Sequence, residues 1–337
     1  MKKSNNSVPM HPAFTITIDI LLTCICIGTF FLLNNVVVWD KDNVGVNLFT
    51  PVPTFMPTLQ PAADPTIDLG SEPVEATPTP IPGLLGNKFA ELFTDGEVIS
   101  TDTEYTSDKI HISLSEHKKD KAVYHVADIY IRDIHAFRAG FSSGEYANRG
   151  TKYIADASEM YGAITAIAGD YCQNAADGLV IRDGVMYRNT LSELDICVLY
   201  IDGTMETYKP EEVDTEAIIA RGAYQAWCFG PELLDKNGMP IQEFTSRIKV
   251  LNPRSALGYY EPGHYVFVVV DGRNREHSVG MTLAQLSQLF YELGCTRAYN
   301  LDGGRSAGMT WNSSLISVPP LEDGERRIGD ILYIKEP

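Results

Sequence analysis

The segment between residues 265 and 301 constrains the fold most strongly, because it reads as a strand, a helix and a second strand. Leu283–Leu293 carries an apolar stripe at helical spacing, and Thr282 and Gln285 form a capping box at its start. The apolar runs Tyr265–Val270 and Thr296–Leu301 flank this helix. A strand, a helix and a strand at this distance predict a right-handed crossover between parallel strands, whose ends then meet at one edge of a sheet.

The rest of the body is rich in strand signals. Asp183-Gly184, between two apolar runs, predicts a hairpin with a primed turn. Further strands are predicted at Lys109–Leu114, Val123–Ile131, Asp195–Ile201, Ala223–Phe229 and Ser246–Leu251. We therefore predict an α+β fold with a mixed sheet and at least one βαβ crossover, in a single extracytoplasmic domain on an N-terminal transmembrane anchor.

The chain divides by composition into four parts. Residues 1–13 form a polar tail with two lysines, and residues 14–39 hold an apolar run that predicts a transmembrane anchor with the tail in the cytoplasm. A cleaved secretory signal is the competing interpretation, and the protein would then be secreted. Residues 40–87 are rich in proline and predict an extended linker, and residues 88–337 form the folded domain.

Composition excludes some partners and leaves others open. The net charge of −17, without a basic stripe, excludes a nucleic-acid partner. The body holds four cysteines without a Cys-x-x-Cys pair, so a thiolate zinc site has no local support. Three disulfide pairings are possible outside the cytoplasm, and free thiols are equally compatible. No cofactor is predicted, although a divalent cation remains possible.

Three acidic turns follow apolar runs, and they supply the candidate catalytic residues Asp302, Asp271 and Asp170. Glycines beside each carboxylate allow close approach of a ligand to the backbone. The predicted crossover places Asp271 and Asp302 at the same edge of the sheet, where open sheets bind ligands.

Two further side chains are candidates for binding a substrate. Arg254 follows a proline that fixes the local backbone, and its guanidinium suits a phosphate or carboxylate. His277 lies in the polar loop between Asp271 and the capped helix.

Four segments together resemble the ordered motifs of the phosphodiester glycosidase family. They are Asn252–Gly258, Val270–Arg273, Ser278–Leu283 and Asn300–Gly304. The resemblance extends over about residues 123–334. Arg305 and Ala307 depart from the pattern, since the family usually has a third glycine and a second serine there.

The resemblance implies hydrolysis of a sugar-1-phosphodiester, for example in a cell-envelope glycan or exopolysaccharide. For this reaction we hypothesise that Arg254 holds the phosphate and that Asp302 activates water or stabilises the sugar cation. Asp271 or Asp170 is then the second carboxylate. The motif around Asp302 supplies the remaining substrate-binding candidates, which are Asn300, Gly303, Gly304, Arg305 and Ser306. The backbone N–H groups of Gly303, Gly304 and Arg305 are expected to form an anion nest.

Two other functions remain open at this point. A metal-assisted phosphodiesterase would hold a hard cation between Asp170, Asp271 and Asp302. A non-catalytic glycan-binding module on a membrane stalk would bind the same ligand without cleaving it, and the substitution at Arg305 favours this alternative.

Overall fold

The computed structural model describes residues 46–48, 83–320 and 324–337. Its strands, in chain order, are β1 (Val46–Asn47), β2 (Ile99–Ser100), β3 (Glu104–Thr106), β4 (Ile110–Lys119), β5 (Ala122–Ile131), β6 (Phe137–Phe141), β7 (Thr165–Ala168), β8 (Gly178–Arg182), β9 (Val185–Thr190), β10 (Ile196–Tyr200), β11 (Met205–Tyr208), β12 (Ala223–Cys228), β13 (Arg254–Glu261), β14 (His264–Val270), β15 (Arg297–Asn300), β16 (Met309–Trp311), β17 (Ser314–Leu315) and β18 (Asp330–Ile334). The α-helices are α1 (Ile154–Tyr161), α2 (Thr215–Ala220) and α3 (Leu283–Glu292).

The strands of the described residues form three sheets. One has the order β1-β9-β8-β12-β10-β11, the second β15-β13-β14-β5-β4-β3-β2 and the third β17-β16-β7-β18-β6. Every strand pair recorded in these sheets is antiparallel.

The predicted α+β fold with a mixed sheet is wrong, because the domain is mostly β and its sheets are antiparallel. The helix α3 does connect β14 to β15, but these strands do not pair with each other. The strand β13 lies between them and is antiparallel to both. Since β14 and β15 therefore run in the same direction, the loops that follow them still leave from the same edge of the sheet.

The seven-stranded sheet is covered on both faces, which explains its long apolar strands. Leu286 and Phe290 of α3 pack with Val266 and Val268 on one face. Side chains on the opposite face, Phe267 among them, join the main core. Burial of each such side chain contributes about 1.5–3 kcal/mol.

The local signals at the helix and the hairpin are present in the structure. The Thr282 side chain accepts from the Gln285 N–H and the Gln285 side chain accepts from the Thr282 N–H, as a capping box requires. Asp183 and Gly184 both have positive φ, at 51° and 74°, which is the geometry of the primed turn. The predicted strand at Ser246–Leu251 is absent.

The N-terminal predictions fall mostly outside the described residues. This is so for the tail (1–13), the predicted anchor (14–39) and most of the linker (40–87). Within the linker range, β1 pairs with β9 and Leu84 bridges Asp133. In the part of the chain that the structure describes, no helix has the length and apolar character needed to cross a membrane.

Candidate active site

Asp302 lies just beyond β15, at the point where two sheets meet. Its backbone N–H donates to the carbonyl oxygen of Gly169, at 2.9 Å, so the turn after β15 touches the turn after β7. Its side chain is 13% exposed, and Oδ2 accepts a 2.6 Å hydrogen bond from Nη2 of Arg326. Burial raises the pKa of Asp302, although Ser306 and Arg326 act in the opposite direction. A partly buried carboxyl group that holds its proton more strongly is a candidate acid or base.

Cationic and aromatic groups surround Asp302. Arg326 also donates to Ser306 Oγ, and its guanidinium lies 5.1 Å from the centre of the Tyr171 ring. Arg273 lies beside the glycine turn, since a Cβ added to Gly304 would be 3.2 Å from Arg273 Nη2. The surroundings therefore favour an anion close to this carboxylate.

Two of the residues around Asp302 hold an unusual backbone conformation. Tyr171 and Arg273 have φ values of 61° and 55°, in the left-handed region that side chains other than glycine rarely adopt. Such conformations cluster at ligand and catalytic sites, because the surrounding fold has to maintain them.

Asp170 is buried and belongs to an ion cluster below the turn. Its Oδ1 accepts from Arg182 Nη2 at 2.6 Å, and its Oδ2 accepts from the Cys228 N–H at 2.9 Å. The same Nη2 donates to Asp330 Oδ2 at 3.2 Å. Burial and repulsion from Asp170 raise the pKa of Asp330 well above its usual range. The cluster thus positions the turn at Gly169, and Asp170 has no free oxygen to offer a substrate.

This cluster contains the donor atoms best placed for a metal in the described residues. Ligand atoms of Asp170, Asp330 and Cys172 lie within 4.8 Å of one another. Arg182 already supplies a positive charge between the two carboxylates. Burial also raises the pKa of the Cys172 thiol well above its usual value, which disfavours the thiolate that binds metals and attacks substrates. Cys172, Cys197, Cys228 and Cys295 are all free and buried.

Asp271 forms a separate cluster with two histidines. Its Oδ2 lies 2.7 Å from Nε2 of His277 and 3.2 Å from Nε2 of His125, and its Oδ1 accepts from the Val318 N–H at 3.0 Å. Both oxygens are therefore occupied, and the carboxylate is buried. His277 is partly exposed and is oriented by this contact.

The loops that carry Asp271 and Asp302 do converge, on Pro253. A Cβ added to Gly272 would lie 2.8 Å from Pro253 N, and one added to Gly303 would lie 2.7 Å from Pro253 O. The three carboxylates do not form one set of ligands, however, because each has its own partners. Of the three, only Asp302 has a partly accessible side chain.

Among the described residues, Arg254 bonds to backbone carbonyl groups and not to a carboxylate. Its guanidinium donates to the carbonyl oxygens of Met281 (2.9 Å) and Ile248 (2.7 Å) and to that of Val250. Burial, with a smaller contribution from Arg273, lowers the pKa of Arg254 to about 10. Its contacts indicate that it braces this loop.

The remaining predicted binding residues have mixed positions. Asn300 is buried, and its Nδ2 donates to Gly230 O at 2.8 Å. The Gly304 N–H donates to Pro253 O, so it cannot also take part in an anion nest. Arg305 is exposed and its carbonyl oxygen accepts from the Arg326 N–H.

Sequence reasoning assigned no role to Arg326, Arg182, Asp330, Tyr171 or Arg273. Spacing gave no signal for Arg326, because it follows Asp302 by 24 residues. A signal did exist for Arg182 and Asp330, since each is a charged residue at one end of an apolar strand. The structure buries both side chains. Buried charges in such positions need partners.

A cleft of about 470 Å³ lies beside the 229–232 segment. It is lined by Phe229, Pro231, Glu232 and Lys209 among others, and it does not include Asp302. We place the candidate site at Asp302 because an accessible carboxyl group and the guanidinium groups meet there.

Comparisons with known proteins give the family and the fold of this chain. The sequence profile of the phosphodiester glycosidase family matches residues 161–335, which is more than half of the chain. The SPbeta prophage-derived uncharacterized protein YomE of Bacillus subtilis (strain 168) is 34% identical over 167 residues, covering 48% of this chain and 26% of that protein. N-acetylglucosamine-1-phosphodiester alpha-N-acetylglucosaminidase of Bos taurus is 29% identical over 100 residues, covering 28% of this chain and 19% of that protein.

A solved structure shares the fold. The zebrafish N-acetylglucosamine-1-phosphodiester alpha-N-acetylglucosaminidase catalytic domain, auto-inhibited by its pro-peptide, superposes with a TM-score of 0.55 at 22% identity. The match covers 68% of this chain and 83% of that one. By contrast, the matched region spans about a quarter or less of the length of the two curated relatives.

Proposed function

The chain belongs to the phosphodiester glycosidase family, and from this premise we propose that it hydrolyses a sugar-1-phosphodiester. The bond cleaved would join the anomeric carbon of the sugar to a phosphate oxygen, and the products would be the free sugar and a phosphomonoester. The observation that carries the proposal is the partly exposed carboxyl of Asp302, held between Arg326 and the glycine turn that contacts Arg273.

Cleavage of this bond depends more on an anion-binding site than on a strong acid, because phosphate is a good leaving group. Negative charge develops on the departing phosphate, and preorganised guanidinium groups stabilise such charge in a site of low dielectric constant. Arg326, which bonds to Asp302, and Arg273, which lies beside Gly304, supply these groups.

We assign both proton transfers to Asp302. In the first step its carboxyl donates a proton to the phosphate oxygen as the bond from that oxygen to the anomeric carbon breaks. Water then attacks the anomeric carbon and returns a proton to the carboxylate. Glycosidases commonly use two carboxylates, but Asp170 and Asp271 are buried with both oxygens bonded, so neither is given a role in contact with the substrate.

The test is a panel of sugar-1-phosphodiesters assayed for released reducing sugar. Asp302→Asn should lower kcat by about 10²–10⁴-fold, the usual contribution of a general acid or base. Asp202→Asn is the matched control, because Asp202 also precedes a glycine in a turn but is exposed and bonds only locally, to Thr204. Binding of the diesters without release of sugar from any of them, or near-normal turnover by Asp302→Asn, would refute the proposal.

A further inference from the structure

The guanidinium of Arg326, which bonds to Asp302, has one nitrogen left to donate to a further acceptor. Its Nη2 bonds to Asp302 Oδ2 at 2.6 Å and its Nε bonds to Ser306 Oγ at 2.9 Å, whereas its Nη1 has no hydrogen-bond partner among the described residues. The Arg326 side chain is 38% exposed, against 13% for Asp302. The Arg326 guanidinium is therefore more accessible to an anion from solvent than the Asp302 carboxylate is.

Backbone hydrogen bonds of the segment around Arg326 hold the position of this guanidinium. The Arg326 N–H donates to the Arg305 carbonyl oxygen at 2.9 Å, and two residues later Ile328 and Lys152 exchange backbone hydrogen bonds of 2.7 and 3.1 Å. The Tyr171 ring supports one face of the guanidinium. Arg326 can therefore bind an incoming anion while it keeps its hydrogen bond to the Asp302 carboxylate.

We propose that Arg326 binds the phosphate of the substrate and, by sharing its charge with that phosphate, causes Asp302 to take up a proton from solvent. The inference rests on the proposed function and adds the origin of the catalytic proton. The free protein keeps Asp302 paired with Arg326, and the carboxyl becomes a neutral acid only when the anion is present. That proton then goes to the leaving oxygen, and the attacking water replaces it.

The groups around Asp302 act on its protonation in two opposite directions. Burial and the buried charge of Asp170 favour its protonated form, while Arg326 and Ser306 oppose protonation. Arg273 lies farther along the turn, beside Gly304, and Arg305 is exposed. An anion on Arg326 weakens the main opposing influence and adds a negative charge nearby, so binding and proton uptake are linked.

Sulfate is a suitable probe, because it is a tetrahedral anion that does not itself titrate near neutral pH. Its binding is measured by isothermal titration calorimetry in buffers of different ionisation enthalpy, which gives the number of protons taken up per sulfate bound. We expect the wild-type protein to take up a substantial fraction of one proton.

Three variants separate the roles of the residues. Arg326→Gln should bind sulfate about 10–100-fold more weakly, the range for loss of a charge-assisted hydrogen bond, and without proton uptake. Asp302→Asn should bind sulfate at least as tightly as the wild type, again without uptake. Arg327→Gln is the matched control and should change neither quantity, because Arg327 is exposed and donates to the Thr151 carbonyl oxygen.

The inference is overturned if the wild-type protein does not bind sulfate, if it binds sulfate without proton uptake, or if Arg326→Gln binds with unchanged affinity. These results do not depend on turnover. Failure to hydrolyse any sugar diester would refute the proposed function alone, whereas hydrolysis without linked proton uptake would refute this inference alone.

Discussion

Replacing Arg182 with methionine should destabilise the domain in a way that depends strongly on pH. The guanidinium is buried and bonds to Asp170, Asp330 and the Ala226 carbonyl oxygen. Methionine has a similar length but no charge, so the variant leaves two carboxylates facing each other without a cation. Removing one partner of a buried ion pair costs about 3–5 kcal/mol, a large part of the roughly 5–15 kcal/mol that stabilises a typical domain.

The direction of the pH dependence follows from Asp330. Burial and Asp170 raise its pKa in the folded protein, and Arg182 lowers it. A carboxyl with a raised native pKa stabilises the fold fully below its unfolded pKa of about 3.9, and this contribution is lost as pH rises through the native pKa. Without Arg182 the native pKa rises further, so the deficit of the variant should be smallest in acid and should grow towards neutral and alkaline pH.

Urea denaturation at a series of pH values measures this deficit. Arg138→Met is the matched control, because Arg138 pairs with Asp183 where both side chains are more than a quarter exposed. An exposed pair contributes about 1 kcal/mol or less. A deficit for Arg182→Met that equals the control, or that does not change with pH, would refute the assignment of a buried three-residue ion cluster.

Two further substitutions test how the turns are held. Gly169→Ala should lower both the urea midpoint and the activity, because the added Cβ would lie 2.0 Å from Asp330 Oδ2; unchanged stability would contradict this close contact. Arg254→Gln should lower stability by about 3–5 kcal/mol through unsatisfied carbonyl groups, measured by thermal unfolding, while KM of the remaining folded enzyme stays within about threefold of wild type. A large rise in KM at full stability would instead restore Arg254 as a phosphate ligand.

The sequence predicts α3 and its capping box because these signals are local. It does not predict β13, although this strand decides the sheet type. Arg254 and Ser255 read as polar, yet both are buried at the start of a central strand. Gly258 also weakens the strand signal, but a Cβ there would lie 2.7 Å from both Phe290 and Val266, so packing requires the glycine.

The candidate site is predictable to a similar extent. The meeting of the Asp271 and Asp302 loops follows from the direction of the strands before them, and both loops reach Pro253. Which carboxylate remains accessible depends on partners that are distant in sequence. Arg326 pairs with the accessible Asp302, and Arg182 pairs with the buried Asp170. No local sequence pattern indicates either pairing.

The insertion of β13 between β14 and β15 has a consequence for how the domain folds. The turn at Asp302 gains its support only after β15 has docked against a strand about 40 residues earlier in the chain. Contacts of such separation form slowly, because loop-closure entropy opposes them. We therefore expect any activity to appear during refolding only after β13 and β15 have paired.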